Sequence, residues 1–558
     1  VFKSAETGEV QPACFIGFHQ VFRGKTMRFP RFFLIMAALC AATVSASADE
    51  WESLFDGKTM DGWDGDPKTW SVKDGAITGT TYNEEDKKLK GNTFIIWRGG
   101  EVDNFELELE YKIVNGNSGV QYRSFEVPEE KWVIGGYQAD FEAGDTYSGI
   151  LYGERYRGIL ALRGESTELV RNDGKFEKKV TGSVGDTNEI QKKIKKEDWN
   201  KYRIVADGYH FQHFINDVKT VDVTDNDVEE RRAAGFLALQ AHAGPAMEVQ
   251  FRNIKLKRLP APKKVALIAG VPSHGYGAHE HKAGCMLLAD ALNSSGLGIE
   301  ATVYTNGWPQ DDSVLDNADT IVIYADGGGG HPFNSKLDRL KALQNRGVGM
   351  VCIHYGVEVP KGPSGNAFLQ WIGGYFETDW SVNPHWTGTF DSFPKHVIAN
   401  SVKPFRVNDE WYYHMRFAEN ADVIPVLSEL PPKDTLVKED GSLSRADGPH
   451  SNNAAVRAAV LERKEPQTVA WAVSRKDAGR GFGFTGGHDH WNWGNRDFRT
   501  LVLNAVIWTA HGMVPDSGVN SKALTVKDLM ANQDYDVPGD FNPARIQAML
   551  DEWAAAGK

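Results

Sequence analysis

Three short stretches of the sequence carry side chains able to move protons on a small polar molecule. In Asn117-Ser118-Gly119-Val120-Gln121-Tyr122-Arg123, Gln121 and Arg123 are two residues apart and share one face of an extended strand. Across 137–142, Gln138, Asp140 and Glu142 alternate with Tyr137, Ala139 and Phe141, and across 237–242 Gln240 and His242 fall on one side. Acid, base, amide and guanidinium groups thus recur on three strands, with Tyr147, Tyr152 and Tyr156 close by in sequence. A solvated sheet face and a polar cleft would both show such stripes. Solvated faces are usually rich in Lys, Glu and Thr, so this composition favours the cleft, with acid/base and oxyanion chemistry within reach. A second group consists of histidines in loops of the C-terminal half: His274, His279, His281, His354, His414, His488 and His490. They suit a sugar or metal pocket, and scattered hydrogen-bonding histidines are the alternative.

The elements that must position these groups change character near residue 260. Up to there the chain alternates apolar and polar residues in short runs broken by Gly, Asn and Asp. Residues 105–113 read FELELEYKI, the period-two pattern of a half-buried strand, and 202–206, 211–215, 236–240 and 249–256 repeat it. Closely spaced strands predict an antiparallel sandwich. Leu259-Pro260-Ala261-Pro262 is the linker, so the domains are expected at 49–259 and 265–514. Beyond it, the apolar runs 265–269, 321–324 and 348–353 alternate with helical patterns at 280–293 and 335–346, which predicts a parallel sheet covered on both faces. A closing helix at 500–511 and a tail from 515 with one helix over 543–556 complete the reading, the tail as an appendage without chemistry. Ligands of open α/β sheets sit at the carboxyl ends of the strands, where the histidine loops fall; His274, His354, His414 and His488 are taken as that pocket.

Composition narrows the function. The 558 residues exceed one domain, and 62 basic against 75 acidic side chains give a net charge of −13, which argues against a nucleic-acid partner. From Met27, the basic Arg28 and Arg31, the 13 apolar residues 32–44 and Ala46-Ser47-Ala48 form an export signal. It predicts a periplasmic or extracellular chain starting at Asp49, with residues 1–26 an over-extended start. Thirteen residues fall short of the roughly 20 needed for a span. Cys285 and Cys352 are the cysteines left after cleavage; buried thiols or a bridge between them both remain open. No H-E-x-x-H or Cys/His spacing occurs, so no cofactor is called for and a divalent metal stays open. No G-x-G-x-x-G follows a strand, and Gly327 to Gly330 lack the Lys and hydroxyl residue of a phosphate loop.

Leu54-Phe55-Asp56-Gly57-Lys58, Gly62-Trp63, Asp74-Gly75, Asn117-Ser118-Gly119, Trp199-Asn200 and Phe251-Arg252-Asn253-Ile254, in this order, resemble the 3-keto-disaccharide hydrolase (3-keto-glucoside lyase/hydratase) family over about 50–259. The resemblance implies a concanavalin-like jelly roll acting on glycosides oxidised at C3, a carbohydrate substrate prepared by a separate oxidoreductase. The C3 ketone acidifies the C2 proton; its removal expels the C1 oxygen, and water adds back. On this reading Arg123, Asp140, Glu142 and His242 are the catalytic candidates, and Asn117, Gln121, Gln138, Tyr152 and Gln240 hold the sugar. Gln138 stands where the family often has Glu. Residues 265–270, Cys352-Ile353-His354, Asp409-Glu410 and Gly486-Gly487-His488 resemble the ThuA-like family over about 263–514, which implies a flavodoxin-type, class I amidotransferase-like fold. His354 takes the nucleophile position and Cys352 lies two residues early, roughly 6–7 Å away along a strand. Glutamine hydrolysis is not expected. A non-catalytic sugar-binding sandwich joined to a ThuA-like module is the alternative function, and catalysis confined to the second domain is a third.

Overall fold

A computed structural model describes residues 51–81, 89, 91–244, 246–260 and 262–556. The export signal expected at 27–48 lies outside the described residues. No described helix is long and apolar enough to cross a membrane.

The N-terminal half is a β-sandwich. Strand Phe105–Val114 buries every second residue, and the buried set is Phe105, Leu107, Leu109, Tyr111 and Ile113. Burying one such side chain contributes roughly 1.5–3 kcal/mol, so the period-two pattern fixes which face turns inward. This strand lies between Asn200–Asp207 and Glu248–Arg258 in one sheet. The second sheet runs Gly158–Ala161, Leu151–Glu154, Ile134–Glu142, Asn117–Glu126, Phe236–Ala241, Thr93–Trp97 and Trp63–Asp64. Both sheets feed one core, where Tyr111 of the first packs on Phe141 of the second with ring centroids 3.8 Å apart. Tyr137, Ala139 and Phe141 point into that core, leaving Gln138, Asp140 and Glu142 on the opposite face.

The C-terminal half is an α/β layer structure. Ile299–Tyr304, Lys263–Ala269, Thr320–Tyr324, Gly349–Ile353 and Arg480–Phe484 pair in parallel. Helices His281–Asn293 and Arg496–Thr509 cover one face; Leu337–Asn345 and Pro363–Trp371 cover the other. The sheet is not purely parallel, because Gln467–Ser474 and Val423–Glu429 join it antiparallel. Only residues 475–479 separate Gln467–Ser474 from Arg480–Phe484, too few for the crossover that a parallel pair requires. Cys285 and Cys352 are free, buried thiols in the cores on opposite faces of the sheet. The tail is no appendage. Leu529 and Ile546 enter the core, Leu529 O accepts from His490 Nε2, and Asp534 N–H donates to Glu280. Its apolar residues are spaced at helical intervals and therefore need a partner surface.

Arg232 joins the two halves. Its Nε donates to Arg123 O at 2.9 Å in the sandwich, while its two terminal nitrogens donate to the carbonyls of Asn345 and Asp477 in the α/β half. Arg232→Met leaves the buried Arg123 carbonyl without this donor, at about 1–3 kcal/mol for a group left unsatisfied, and removes two part-buried bonds to Asn345 and Asp477. Urea unfolding is expected to show a loss of about 1–3 kcal/mol; a midpoint equal to wild type would mean the guanidinium does not couple the halves.

Candidate functional site

The polar face of the second sheet is a continuous hydrogen-bonded network. Gln121 Nε2 donates to Gln138 Oε1 at 2.8 Å, and Gln138 Nε2 donates to Asp140 Oδ1 at 3.2 Å and Gln240 Oε1 at 3.4 Å. Asn117 Nδ2 donates to the other oxygen, Asp140 Oδ2, at 3.4 Å. The geometry depends on Gly119, opposite Asp140 in the ladder, where a Cβ would come within 2.5 Å of Gln138 Cγ. Without a side chain there, the Gln138 amide can lie across the strand. Asp140 is 6% exposed. Burial raises its carboxyl to about 8 against the opposing donors Asn117 and Gln138, so it stays protonated at neutral pH.

Next to this network a cleft of about 550 Å³ is lined by Asn117, Glu142, His242, Lys196, Glu197 and Met247, among others. Glu142 Oε1 accepts from the backbone N–H groups of Thr146 (2.6 Å) and Tyr147 (2.9 Å), which orient the carboxylate. His242 Nδ1 contacts Ala243 O; with that nitrogen as donor, the Nε2 lone pair is the one left for chemistry. Asp140 sits one hydrogen bond behind Asn117. Tyr152 lies opposite Gln138 on the adjacent strand, its hydroxyl held above its ordinary value by burial and by the charges of Glu154 and Asp140.

Arg123 is not part of this constellation. The ladder shifts register between Tyr122 and Phe125, and Arg123 takes φ of +45°. Its side chain is thereby turned to the sandwich edge, donating to Asp103 O (2.7 Å), Gly208 O (2.6 Å), Arg232 O (3.0 Å) and Asn104 Oδ1 (2.9 Å). It braces loops and offers nothing to an oxyanion in the cleft. Lys196 borders the cleft as well, although it lies in a run of charges (Lys195-Lys196-Glu197-Asp198) that by pattern alone is a solvated loop.

The α/β half brings four donors together at the carboxyl edge of its sheet. His354 begins the turn that follows Gly349–Ile353 and has φ of +53°, while His279 has φ of +49°. Such backbone strain in non-glycine residues concentrates at functional sites. His488 is set by Asp409, whose carboxylate accepts from Gly487 N (2.7 Å), His488 N (3.0 Å) and Asn492 Nδ2 (3.0 Å). Gly487, at φ of +112°, permits this turn. His279 Nε2 then lies 3.1 Å from His354 Nε2 and 3.0 Å from His488 Nδ1. Glu410 Oε2 lies 3.5 Å from His354 Nε2 and 3.2 Å from His488 Nδ1. Imidazole and carboxylate groups at these distances could hold a cation. His274 stacks on His279 at 3.6 Å and stays at the rim. His414 does not join them: it stacks on Trp380 at 4.3 Å and its Nδ1 donates to Trp380 O. His490 is buried against the tail. Glu410 and His279 carry the geometry that sequence reading did not assign to the pocket, although both stood in motifs or clusters it singled out.

Two family models match in tandem. Residues 50–257 match the 3-keto-alpha-glucoside-1,2-lyase-like domain, and residues 266–509 match the trehalose utilisation (ThuA) family. A curated 3-keto-disaccharide hydrolase from Bacteroides thetaiotaomicron is 33% identical over 99 residues, which is 16% of this chain and 33% of that protein. The chain therefore spans a third of that relative's length. Among solved structures, a carbohydrate-binding module from Bacillus subtilis is 17% identical over 35% of this chain and 95% of its own, with a TM-score of 0.23. A ThuA-like protein from Parabacteroides merdae is 16% identical over 48% of this chain and 99% of its own, with a TM-score of 0.32.

The raised carboxyl of Asp140 has a consequence for stability. In the unfolded chain an Asp ionises near 3.9, so between about pH 4 and 8 the native state holds a proton that the unfolded state has lost. Its contribution is complete below pH 4 and disappears as pH rises through about 8. Asp140→Asn is expected to flatten this part of the stability–pH curve, whose slope from one group is at most about 1.4 kcal/mol per pH unit. Denaturant titrations at several pH values check it; parallel curves for wild type and variant would contradict the protonated carboxyl.

Proposed function

We propose that the sandwich half cleaves glycosides carrying a ketone at C3. The observation supporting this most directly is that Asn117, Glu142, His242 and Lys196 line one cleft, in the segment that matches the 3-keto-glucoside lyase-like model. The chemistry asks for three things. A base must take the C2 proton, and His242 Nε2 or the Glu142 carboxylate is placed for it. A cation must steady the C3 enolate oxygen, and Lys196 takes the role that the sequence suggests for Arg123. An acid must protonate the departing C1 oxygen, and the group that has taken the C2 proton, His242 or Glu142, lines the same cleft and can deliver that proton.

In the reaction the C2–H bond breaks and the electron pair moves into the enolate. The C3 carbonyl then re-forms as the C1–O bond breaks, leaving a C1–C2 double bond and a free alcohol. Water adds to C1, C2 regains a proton, and the net result is hydrolysis without an oxocarbenium ion. A separate sugar C3-oxidation must supply the substrate.

The full chain incubated with a 3-keto-disaccharide in D₂O is expected to release monosaccharide and place deuterium at C2. Glu142→Gln and His242→Gln should each lower kcat; the variant that removes the base should lose about 10²–10⁴-fold. Release without C2 deuterium would refute the elimination route, and tight binding without release would make the sandwich a sugar-binding module.

A further inference from the structure

We propose that the α/β half binds one divalent transition-metal ion, of which Zn²⁺ is the reference case, through His279 Nε2, His354 Nε2, His488 Nδ1 and Glu410 Oε2. This does not depend on the reaction assigned to the sandwich.

The first argument is tautomeric. His279 Nδ1 pairs with Asp326 Oδ1 at 2.8 Å, and His354 Nδ1 pairs with Thr485 O at 2.9 Å. A carboxylate and a carbonyl only accept, so both Nδ1 atoms carry the hydrogen. Both Nε2 atoms therefore present lone pairs, and these face each other at 3.1 Å. Two lone pairs at that separation repel unless a cation lies between them. Glu410 is arranged in the same way: Asn383 Nδ2 donates to Oε1 at 3.1 Å, leaving Oε2 for the cluster. Three of the four donor groups thus have an outer partner that turns an electron pair inward, as in metal sites generally.

The second argument is metric. Zn–N and Zn–O bonds of about 2.0–2.1 Å make a tetrahedron with edges of roughly 3.3–3.4 Å. The four recorded edges are 3.0 Å (His279–His488), 3.1 Å (His279–His354), 3.2 Å (His488–Glu410) and 3.5 Å (His354–Glu410). All donor atoms of the set lie within 4.8 Å of one another. The Tyr412 hydroxyl, 3.3 Å from His354 Nε2, stands beside the set. Three imidazoles and a carboxylate without thiolate favour Zn²⁺, Mn²⁺, Fe²⁺ or Ni²⁺ over soft ions. His279 and His354 are closed off from solvent, whereas Glu410 and His488 are partly open, so water or a substrate oxygen can approach from their side.

The full chain, stripped with a chelator, reloaded with Zn²⁺ and desalted, is expected to retain one ion per chain by elemental analysis. Co²⁺ in its place should give the intense visible bands of a four-coordinate site. His488→Ala and Glu410→Gln should weaken Zn²⁺ binding by about 100-fold or more, and Asp326→Asn, which alters only the outer partner, by about 10-fold. His414→Ala, outside the cluster, should bind as wild type does. Circular dichroism verifies the fold of each variant, and Asp326→Asn serves if the others fail to fold. If the wild type retains no ion, or if Asp326→Asn and any folded ligand variant bind as tightly as wild type, the proposal is overturned.

Discussion

A polar side chain taken out of water must recover its hydrogen bonds from the chain, and where it does so determines what is left for chemistry. In the sandwich, Gln121 and Gln138 are spent on each other and on Asp140, and Gln240 gives its Oε1 to Gln138. These amides build a rigid floor. Asp140 is supplied with donors by Asn117 and Gln138, yet burial outweighs them and its carboxyl remains neutral. The groups still free to act on a ligand are those at the end of the floor, where Asn117, Glu142, His242 and Lys196 border the cleft.

The same constraint governs the α/β half in a different chemical form. Asp409 uses its carboxylate on backbone N–H groups of the 487–488 turn, and so fixes His488 rather than acting itself. Asp326, Thr485 and Asn383 each occupy the outer atom of an inward-facing group. Strained backbone at His279 and His354 belongs to this arrangement: two residues in the left-handed region bring their rings to one point, and the packed sheet beneath holds them there. His354 stands at the turn after Gly349–Ile353, and Cys352 is buried in the core beneath, its thiol pushed well above the ordinary range. Burial of that kind makes the thiol inert.

Much of the architecture was legible because it is written in short-range periodicity. FELELEYKI at 105–113 buries alternate residues as its pattern demands, and the 137–142 stretch divides into core and polar faces at the expected residues. The helix over 543–556 also forms where its spacing indicates. Arg123 was misread for a physical reason: alternation holds only while the ladder is regular, and the bulge after Tyr122 breaks it within one residue. The antiparallel edge of the second sheet and the docking of the tail were likewise not legible from strand and helix patterns alone.

Within a single segment, then, the sequence alone determined faces and most element types, since backbone geometry repeats every two or 3.6 residues regardless of distant contacts. Only the tertiary structure decided which polar groups meet. His279, His354, Glu410 and His488 come from four separate segments, and no spacing rule links them. Their convergence depends on where a parallel sheet places its loops and on buried partners such as Asp409 and Asp326, which are fixed by packing across the whole domain.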